Sequence, residues 1–263
     1  MATLVCFHAH PDDESIATGG VMAAAADAGH RVVLVVATKG EHGEVDEGFL
    51  DDGEELWHRR ERETHASAEI LGAAAVHFLG YHDSGMMGTP ENDHEGSFWR
   101  ADVEEAAERL AAILRDEGCD VLTVYDSNGN YGHPDHIQVH RVGVRAAELA
   151  GVTRVFEATV NQDHIREGLR EAKARGEWME GMPDPDEDDL GLGVPASQIT
   201  HGVDVTAYLD RKRASMRAHA SQIAEQSFFL AMPDDQFAMA FGIEWFTERG
   251  VPLPVESFGT SII

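Results

Sequence analysis

The sequence predicts an α/β fold in which helices cover both faces of a doubly wound, mostly parallel β-sheet, and three observations support this prediction. Short β-branched runs alternate with longer helical patterns over the first 160 residues, as they do in consecutive βαβ units. Several helical patterns end at a glycine, which is the residue best suited to a left-handed helix end. No repeat of fixed period is present, which argues against a solenoid.

The first half of this core contains three predicted strands and two predicted helices. Residues 3–7 (TLVCF), 31–37 (RVVLVVA) and 75–79 (AVHFL) are predicted strands because they are apolar and β-branched. Residues 16–28 and 54–71 are the helical stretches between them, and each is followed by a glycine.

The second half continues the alternation. Residues 101–116 and 136–149 are the predicted helices, and residues 120–124 (DVLTV) and 154–158 (RVFEA) are the predicted strands. The glycines that follow the four helices are Gly29, Gly72, Gly118 and Gly151.

The pattern loosens after about residue 160. Residues 177–193 are acidic and rich in proline and glycine, which is typical of a loop. A strand-like run (199–205) and a helical stretch (207–224) follow. We expect one domain over residues 1–263, with a core of about 1–160 and a C-terminal extension of about 161–263 packed on the same core.

The charge excludes some classes of partner. The chain has 20 Lys and Arg against 48 Asp and Glu, a formal net charge of −28. Such a chain repels phosphate backbones and anionic lipid surfaces, so neither nucleic acid nor membrane is an expected partner. The sequence offers no targeting segment and no apolar run of membrane-spanning length, so a cytoplasmic location is expected. Two cysteines are too few for a cysteine zinc site.

A first polar cluster, HAHPDDES (8–15), follows the first predicted strand. Ligands of open α/β sheets bind outside the carboxyl ends of the strands. A helix-capping turn would explain one carboxylate there, but not His10, Asp12 and Asp13 together.

A second cluster, YDSNGNYGHPDH (125–136), follows the fourth predicted strand. Pro134 suits the first position of a helix, which places His133 at the mouth of that helix and His136 in its first turn. Strands one and four can be neighbours where the strand order reverses, so the two clusters are expected to converge. The alternative is two unrelated polar loops.

These residues match a catalytic metal site with three protein ligands and one position for water. His10, Asp13 and His136 fill the ligand positions, and Asp12 remains beside the metal as a base. His133 is a candidate general acid or oxyanion stabiliser whose tautomer Asp135 would fix.

His8 leaves a second arrangement open. Together with His10 and Asp12 it forms an H-x-H-x-D motif, which is also the first metal-binding motif of amidohydrolase barrels. That fold needs eight βα units, whereas this chain offers about five. His8 is therefore expected beside the pocket, and His140 is expected to be solvated or outside the ligand set.

The HPDDE segment (10–14) and the GHPDH segment (132–136) together resemble the LmbE-like, or PIG-L-like, zinc de-N-acetylases. The helix at 60–72, the GYHDSGM loop at 80–86 and the HASQ segment at 219–222 resemble further motifs of the family, including its actinobacterial mycothiol-deacetylase members. The resemblance covers residues 4 to about 222 and implies a Rossmann-like fold and hydrolysis of an N-acetyl group.

The resemblance also implies roles for single residues. It assigns His10, Asp13 and His136 to the metal, Asp12 to the base and His133 with Asp135 to the acid or electrostatic partner. Tyr131 matches a tyrosine that helps to polarise the substrate carbonyl. Arg60 and Asp83 fall where mycothiol-type enzymes contact sugar or inositol hydroxyls, although a surface charge and a turn former would explain these two equally well.

The predicted function is that of a zinc-dependent hydrolase that removes the acetyl group from an N-acetylglucosaminyl-type sugar or a related small conjugate. Fe²⁺ or another divalent metal is an alternative to Zn²⁺. An amidase for mycothiol S-conjugates and a non-catalytic metal-binding protein are the alternative functions. The expected partner is the acetylated amino sugar, and a homo-oligomer stays open.

Overall fold

The computed structural model describes residues 1–176, 184–186 and 189–263. Its strands are β1 (Thr3–His8), β2 (Arg31–Val36), β3 (Ala75–Phe78), β4 (Val121–Tyr125), β5 (Arg154–Thr159), β6 (His201–Asp204) and β7 (Ile243–Glu248). They form one sheet in the order β3-β2-β1-β4-β5-β7-β6. The first five strands pair in parallel, and β7 and β6 pair antiparallel at one edge.

The order of the strands reverses between β1 and β4, which are hydrogen-bonded neighbours. The predicted α/β class and the predicted meeting of strands one and four are therefore confirmed. The carboxyl ends of these two strands form the crevice in which ligands of doubly wound sheets bind.

The α-helices lie between and after the strands. They are α1 (Asp13–Ala17), α2 (Gly19–Asp27), α3 (Leu56–Leu71), α4 (Val103–Asp116), α5 (Gly129–Gly132), α6 (Pro134–Ala150), α7 (Gln162–Arg175), α8 (Leu209–Ala218), α9 (Phe228–Ala231) and α10 (Asp234–Phe241). The four glycines predicted to end helices all have positive φ, which is the conformation that this position favours.

Two apolar clusters cover the two faces of the sheet. Val5 and Phe7 of β1 pack with residues of α4 and α6 in one cluster. Leu4 and Cys6 pack with residues of α2 and α3 in the other. Successive side chains of a strand point to opposite faces, so β1 is buried on both sides, as the strands of a doubly wound sheet are.

The prediction of one helix over residues 16–28 is wrong. Helix α1 ends at Ala17, Thr18 is not helical, and α2 begins at Gly19. The carboxylate of Glu244 in β7 accepts hydrogen bonds from the backbone N–H groups of Gly20 and Val21 at 2.7 and 2.8 Å. It therefore satisfies donors that the start of a helix leaves free. This contact joins residues about 220 positions apart, and no local pattern encodes it.

The chain beyond residue 160 differs from the prediction in its details. The strand predicted at 199–205 is the shorter β6, and the helix predicted at 207–224 ends at Ala218. Helix α7 and strand β7 were not predicted. The predicted loop at 177–193 lies partly outside the described residues.

This C-terminal part adds β7 and β6 to the same sheet, next to β5. Its helices cover a third, smaller apolar cluster around Met216 and Phe237. None of the helices in the described part of the chain combines the length and the apolar composition that a bilayer crossing requires.

Candidate active site

The two polar clusters follow β1 and β4 and meet at the carboxyl edge of the sheet. Each contains one residue with an unusual backbone: φ is 97° at Asp12 and 61° at Asn130. These are the two non-glycine residues with positive φ in the part of the chain that the structure describes. Such conformations are sparsely populated and concentrate at functional sites.

The side chain of Asp13 contacts both predicted histidine ligands. Its Oδ2 atom lies 3.4 Å from Nδ1 of His10 and 3.4 Å from Nε2 of His136. Neighbouring ligand atoms on a tetrahedral zinc, with bonds of about 2.0–2.1 Å, are separated by about 3.4 Å. Both contacts therefore have the spacing of a zinc site.

His136 provides a second test of whether a metal fits. The residue is 2% exposed, and neither of its ring nitrogens has a hydrogen-bond partner among the described residues. A buried polar atom without a partner is costly. The ring is held in place by Tyr125, which stacks on it with centroids 4.3 Å apart and planes 11° from parallel. A divalent metal at Nε2 would satisfy the unpaired nitrogen that faces Asp13.

The other nitrogen of His10 faces two buried carboxylates. Nε2 lies 3.1 Å from Oδ2 of Asp135 and 3.5 Å from Oδ1 of Asp83. Asp135 also accepts hydrogen bonds from the backbone N–H and the hydroxyl of Ser84. A carboxylate at the far nitrogen of a metal-binding histidine is the usual way to fix its tautomer, so Nδ1 of His10 is left for a metal.

Among the residues that the structure describes, two sets of three have possible ligand atoms within 4.8 Å of one another. They are His10, His133 and His136, and His10, Asp83 and Asp135. The first set shares two members with the predicted ligands and brings His133 to the same place. The second set is the hydrogen-bonded group at Nε2 of His10.

Asp12 lies next to this centre with 19% of its side chain exposed. Burial raises the pKa of its carboxyl to about 6, although the positive charge of Arg60 opposes the shift. Arg60 Nη2 lies 3.4 Å from Oδ2 of Asp12. A carboxylate of this pKa is ionised at neutral pH and accepts a proton more readily than an ordinary aspartate.

His133 is the N-cap residue of α6, and Nδ1 of its ring accepts the backbone N–H of Asp135 at 3.1 Å. The proton of the neutral ring is therefore on Nε2. Burial, together with His10 and His136, lowers the pKa of His133 to about 4, so the ring is neutral at pH 7. Asp135 thus contacts His133 through its backbone N–H, whereas its carboxylate contacts Nε2 of His10.

Tyr131 lies at the open side of the site and is 49% exposed. Its ring centroid is 5.0 Å from that of His136 and 6.1 Å from that of His133. Partial burial and the charge of Asp13 raise the pKa of its hydroxyl, which therefore stays protonated. The hydroxyl is available as a hydrogen-bond donor at the mouth of the site.

The two residues predicted to contact substrate have other partners. Arg60 has 4% of its side chain exposed, and it donates to the carbonyl oxygens of Gly40 and Pro11 at 2.8 and 2.6 Å. Asp83 has 7% exposed and accepts backbone N–H bonds from His42 and Gly85. These contacts favour a role in shaping the site.

His8 and His140 lie outside the proposed ligand set. His8 is buried, with Nδ1 2.7 Å from the Tyr125 hydroxyl and Nε2 2.8 Å from the Thr18 hydroxyl. Nδ1 of His140 lies 3.0 Å from the backbone oxygen of Tyr125. His8 thus supports the tyrosine that stacks on His136.

Sequence reasoning missed two buried residues beneath Asp12. Glu14 and His219 are both 0% exposed, and their side chains are joined at 2.6 Å. Both stand in segments that carry the family resemblance, but no spacing links positions 205 residues apart. Fully buried glutamates are rare unless they are paired, and Glu14 lies in the HPDDE motif just before a predicted helix, which was the available indication.

Comparison with known proteins gives the family. The family model described as "PIG-L: GlcNAc-PI de-N-acetylase" matches residues 5–147, which is more than half of the chain. The chain belongs to the PIG-L family. It is also 43% identical over 264 residues to the 1D-myo-inositol 2-acetamido-2-deoxy-alpha-D-glucopyranoside deacetylase of Acidothermus cellulolyticus, with 96% of this chain and 90% of the relative covered.

Solved structures support the fold. N,N'-diacetylchitobiose deacetylase from Pyrococcus horikoshii aligns with a TM-score of 0.59 at 23% identity, over 94% of this chain and 83% of that one. A 4-carboxy-2-hydroxymuconate hydratase from Pseudomonas putida aligns with a TM-score of 0.57 at 20% identity, over 98% and 100%. A fold that carries a deacetylase and a hydratase does not by itself set the reaction.

Proposed function

We propose that this PIG-L family protein is a metal-dependent N-deacetylase that acts on an N-acetylglucosaminyl inositol. The observation that carries the proposal is the placement of Asp12, a carboxylate of raised pKa, beside the contacts that join His10, Asp13 and His136. The 43% identity to a deacetylase of 1D-myo-inositol 2-acetamido-2-deoxy-α-D-glucopyranoside supports the substrate.

The proposed metal ligands are Nδ1 of His10, Oδ2 of Asp13 and Nε2 of His136. Zn²⁺ is the proposed metal because two imidazoles and one carboxylate form a common catalytic zinc set, and Fe²⁺ accepts the same donors. When bound, such an ion supplies Lewis-acid activation by lowering the pKa of a water molecule to about 7.

Asp12 is the proposed base. Its ionised carboxylate accepts the proton of the water that attacks the acetyl carbonyl. The positive φ of Asp12 and the neighbouring Arg60 side chain hold this carboxylate at the site. In the described part of the chain, no hydrogen bond joins the Asp12 carboxylate to either predicted histidine ligand, and Arg60 Nη2 lies 3.4 Å from one of its oxygens.

His133 and Tyr131 are the proposed donors to the carbonyl oxygen as negative charge develops on it. The ring of His133 is neutral and carries its proton on Nε2, so it suits hydrogen-bond donation better than delivery of a proton. The protonated Asp12 carboxyl is therefore the proposed source of the proton that the departing nitrogen requires. The products are acetate and the free amine.

Three buried residues are proposed to position the site without contacting the substrate: Arg60, Asp83 and Asp135. Arg60 holds the Pro11 and Gly40 carbonyls near Asp12, and the two aspartates fix the tautomer of His10. We also propose a cytoplasmic location.

The net charge of the chain favours that substrate. An uncharged glycoside meets no long-range repulsion from a protein of charge −28, whereas a phosphorylated one does. The proposed substrate, an inositol glycoside of N-acetylglucosamine, carries no phosphate group.

The test is formation of the free glucosaminyl amine by the zinc-loaded protein from three compounds: the α-glycoside of N-acetylglucosamine with inositol, free N-acetylglucosamine and a mycothiol-type S-conjugate. We expect the inositol glycoside to be hydrolysed fastest and Asp12→Asn to abolish most turnover. Faster cleavage of the conjugate would identify an amidase, and stoichiometric metal without turnover of any compound would contradict the proposal.

A further inference from the structure

The peptide bond between Pro11 and Asp12 is held at both ends by buried side chains. Arg60 Nη2 donates to the Pro11 carbonyl oxygen at 2.6 Å, and the Asp12 N–H donates to Oε2 of Glu14 at 3.1 Å. Asp12 has φ 97° and ψ −30°, a conformation that a non-glycine residue rarely adopts unless its surroundings impose it. Glu14 is therefore one of the groups that impose it.

Glu14 is itself fixed from two distant parts of the chain. Its side chain is fully buried, and it accepts the hydroxyl of Ser67 in α3 and Nε2–H of His219, which follows α8. His219 is also fully buried, and Nδ1 of its ring has no partner among the described residues. Within the described part of the chain, the His219 ring therefore bonds only to Glu14.

A buried Glu–His contact of this kind is a poor source of stability, because desolvation of the two polar groups offsets most of their attraction. Stability alone therefore does not account for the pair. The other oxygen of Glu14 accepts the N–H of Asp12, so the pair connects His219 of the C-terminal extension to the base, which lies 207 residues earlier in the chain.

We propose that Glu14 and His219 are positioning residues of the deacetylase reaction: His219 fixes the Glu14 carboxylate, and Glu14 holds the Asp12 backbone in the conformation that aims its side chain at the attacking water. The inference rests on the function proposed above. Neither residue touches substrate or metal, so their effect is on the orientation of the base.

The decisive variant is Glu14→Leu with His219→Leu, which replaces the pair by apolar side chains. Such replacements are often neutral or stabilising when the volumes are similar, so the variant is expected to fold and to bind one zinc. Because a misplaced catalytic group costs about 10²-fold, we expect kcat to fall by about that factor while KM stays close to the wild-type value.

Two single variants serve as rescue and control. Glu14→Gln keeps an oxygen acceptor for the Asp12 N–H, so it is expected to retain most of kcat. Glu63 is a matched control, because it is also a buried carboxylate and accepts the N–H and hydroxyl of Ser221, in the same segment as His219. Glu63→Gln is expected to lower Tm without lowering kcat.

A crystal structure of the double-leucine variant gives a readout that does not depend on turnover. We expect φ of Asp12 to leave the positive region. A positive φ with the carboxylate in its original place would overturn the inference, and so would an unchanged kcat per zinc-loaded protein. Failure of the wild-type protein to release acetate would instead refute the proposed function, and the Asp12 backbone would still decide the role of the pair.

Discussion

Nε2 of His10 lies 3.1 Å from a carboxylate oxygen of Asp135, although the two residues are 125 positions apart in the chain. The same carboxylate accepts two hydrogen bonds from Ser84. The carboxylate is fully buried, and these hydrogen bonds hold it in one orientation. Through this contact the HPDDE and GHPDH segments position each other's side chains, and Nδ1 of His10 is directed to Asp13.

Asp135→Ala is expected to weaken zinc binding by about 10–100-fold, because removal of a carboxylate behind a ligating histidine releases its tautomer and orientation. Asp135→Asn keeps an acceptor at Nε2 of His10 and is expected to lose less. A chelator competition measures both affinities. If zinc affinity is unchanged and turnover alone falls, the Asp135 carboxylate does not position His10 for the metal.

Substitution of the proposed base is expected to lower turnover without loss of zinc, whereas substitution of a proposed ligand is expected to lower both. Asp12→Asn is expected to bind one zinc per chain and to lose about 10²–10⁴-fold in kcat, since general base catalysis is worth that factor. His136→Ala and Asp13→Ala are expected to lose zinc as well. Metal analysis and acetate release on the same samples check both statements.

His140→Gln is the matched control for His136→Ala, because the two histidines share helix α6 but His140 bonds only to protein groups in the described structure. It is expected to keep both zinc and turnover. Near-normal turnover of zinc-loaded Asp12→Asn would remove Asp12 from the mechanism.

Local patterns were sufficient to predict the parallel core and the convergence of the two clusters, because both follow from strands whose order is limited by the βαβ rules. They were insufficient where a partner comes from a distant part of the chain. Glu244 accepts the N–H of Gly20 at the start of α2, although the two residues are 224 positions apart. His219 bonds to Glu14 over a separation of 205 positions. The family resemblance placed Arg60 and Asp83 at the substrate, and residue type alone did not reveal that both side chains are buried.

The pH dependence of turnover is expected to report Asp12. Its carboxyl has a pKa of about 6 and must be ionised to accept a proton, so kcat/KM is expected to fall about tenfold per pH unit below that value. The positive charge of Arg60 lowers the pKa of Asp12. Loss of that charge in Arg60→Met therefore raises the pKa and moves the acidic limb to higher pH.

Arg60→Lys keeps the charge and is expected to leave the acidic limb near its wild-type position, even if kcat falls because the two carbonyl contacts are changed. Full pH profiles of the three zinc-loaded proteins distinguish these effects. A limb that stays in place in Arg60→Met would show that another group controls it.

The role of His133 is expected to depend on its N–H and not on an exchangeable proton. Nδ1 accepts the Asp135 backbone N–H, and the lowered pKa, about 4, keeps the ring neutral. A neutral donor to the carbonyl oxygen can be replaced in part by an amide N–H. His133→Gln is therefore expected to retain substantially more kcat than His133→Ala, for which a loss of about 10²–10³-fold is expected.

A general acid gives a different result, because glutamine cannot deliver a proton and would be as inactive as alanine. The comparison is made at saturating substrate with zinc content measured in each sample, since a ring nitrogen of His133 lies within 4.8 Å of ring nitrogens of His10 and His136. Equal losses in the two variants at full zinc occupancy would assign the leaving-group proton to His133 and remove that step from Asp12.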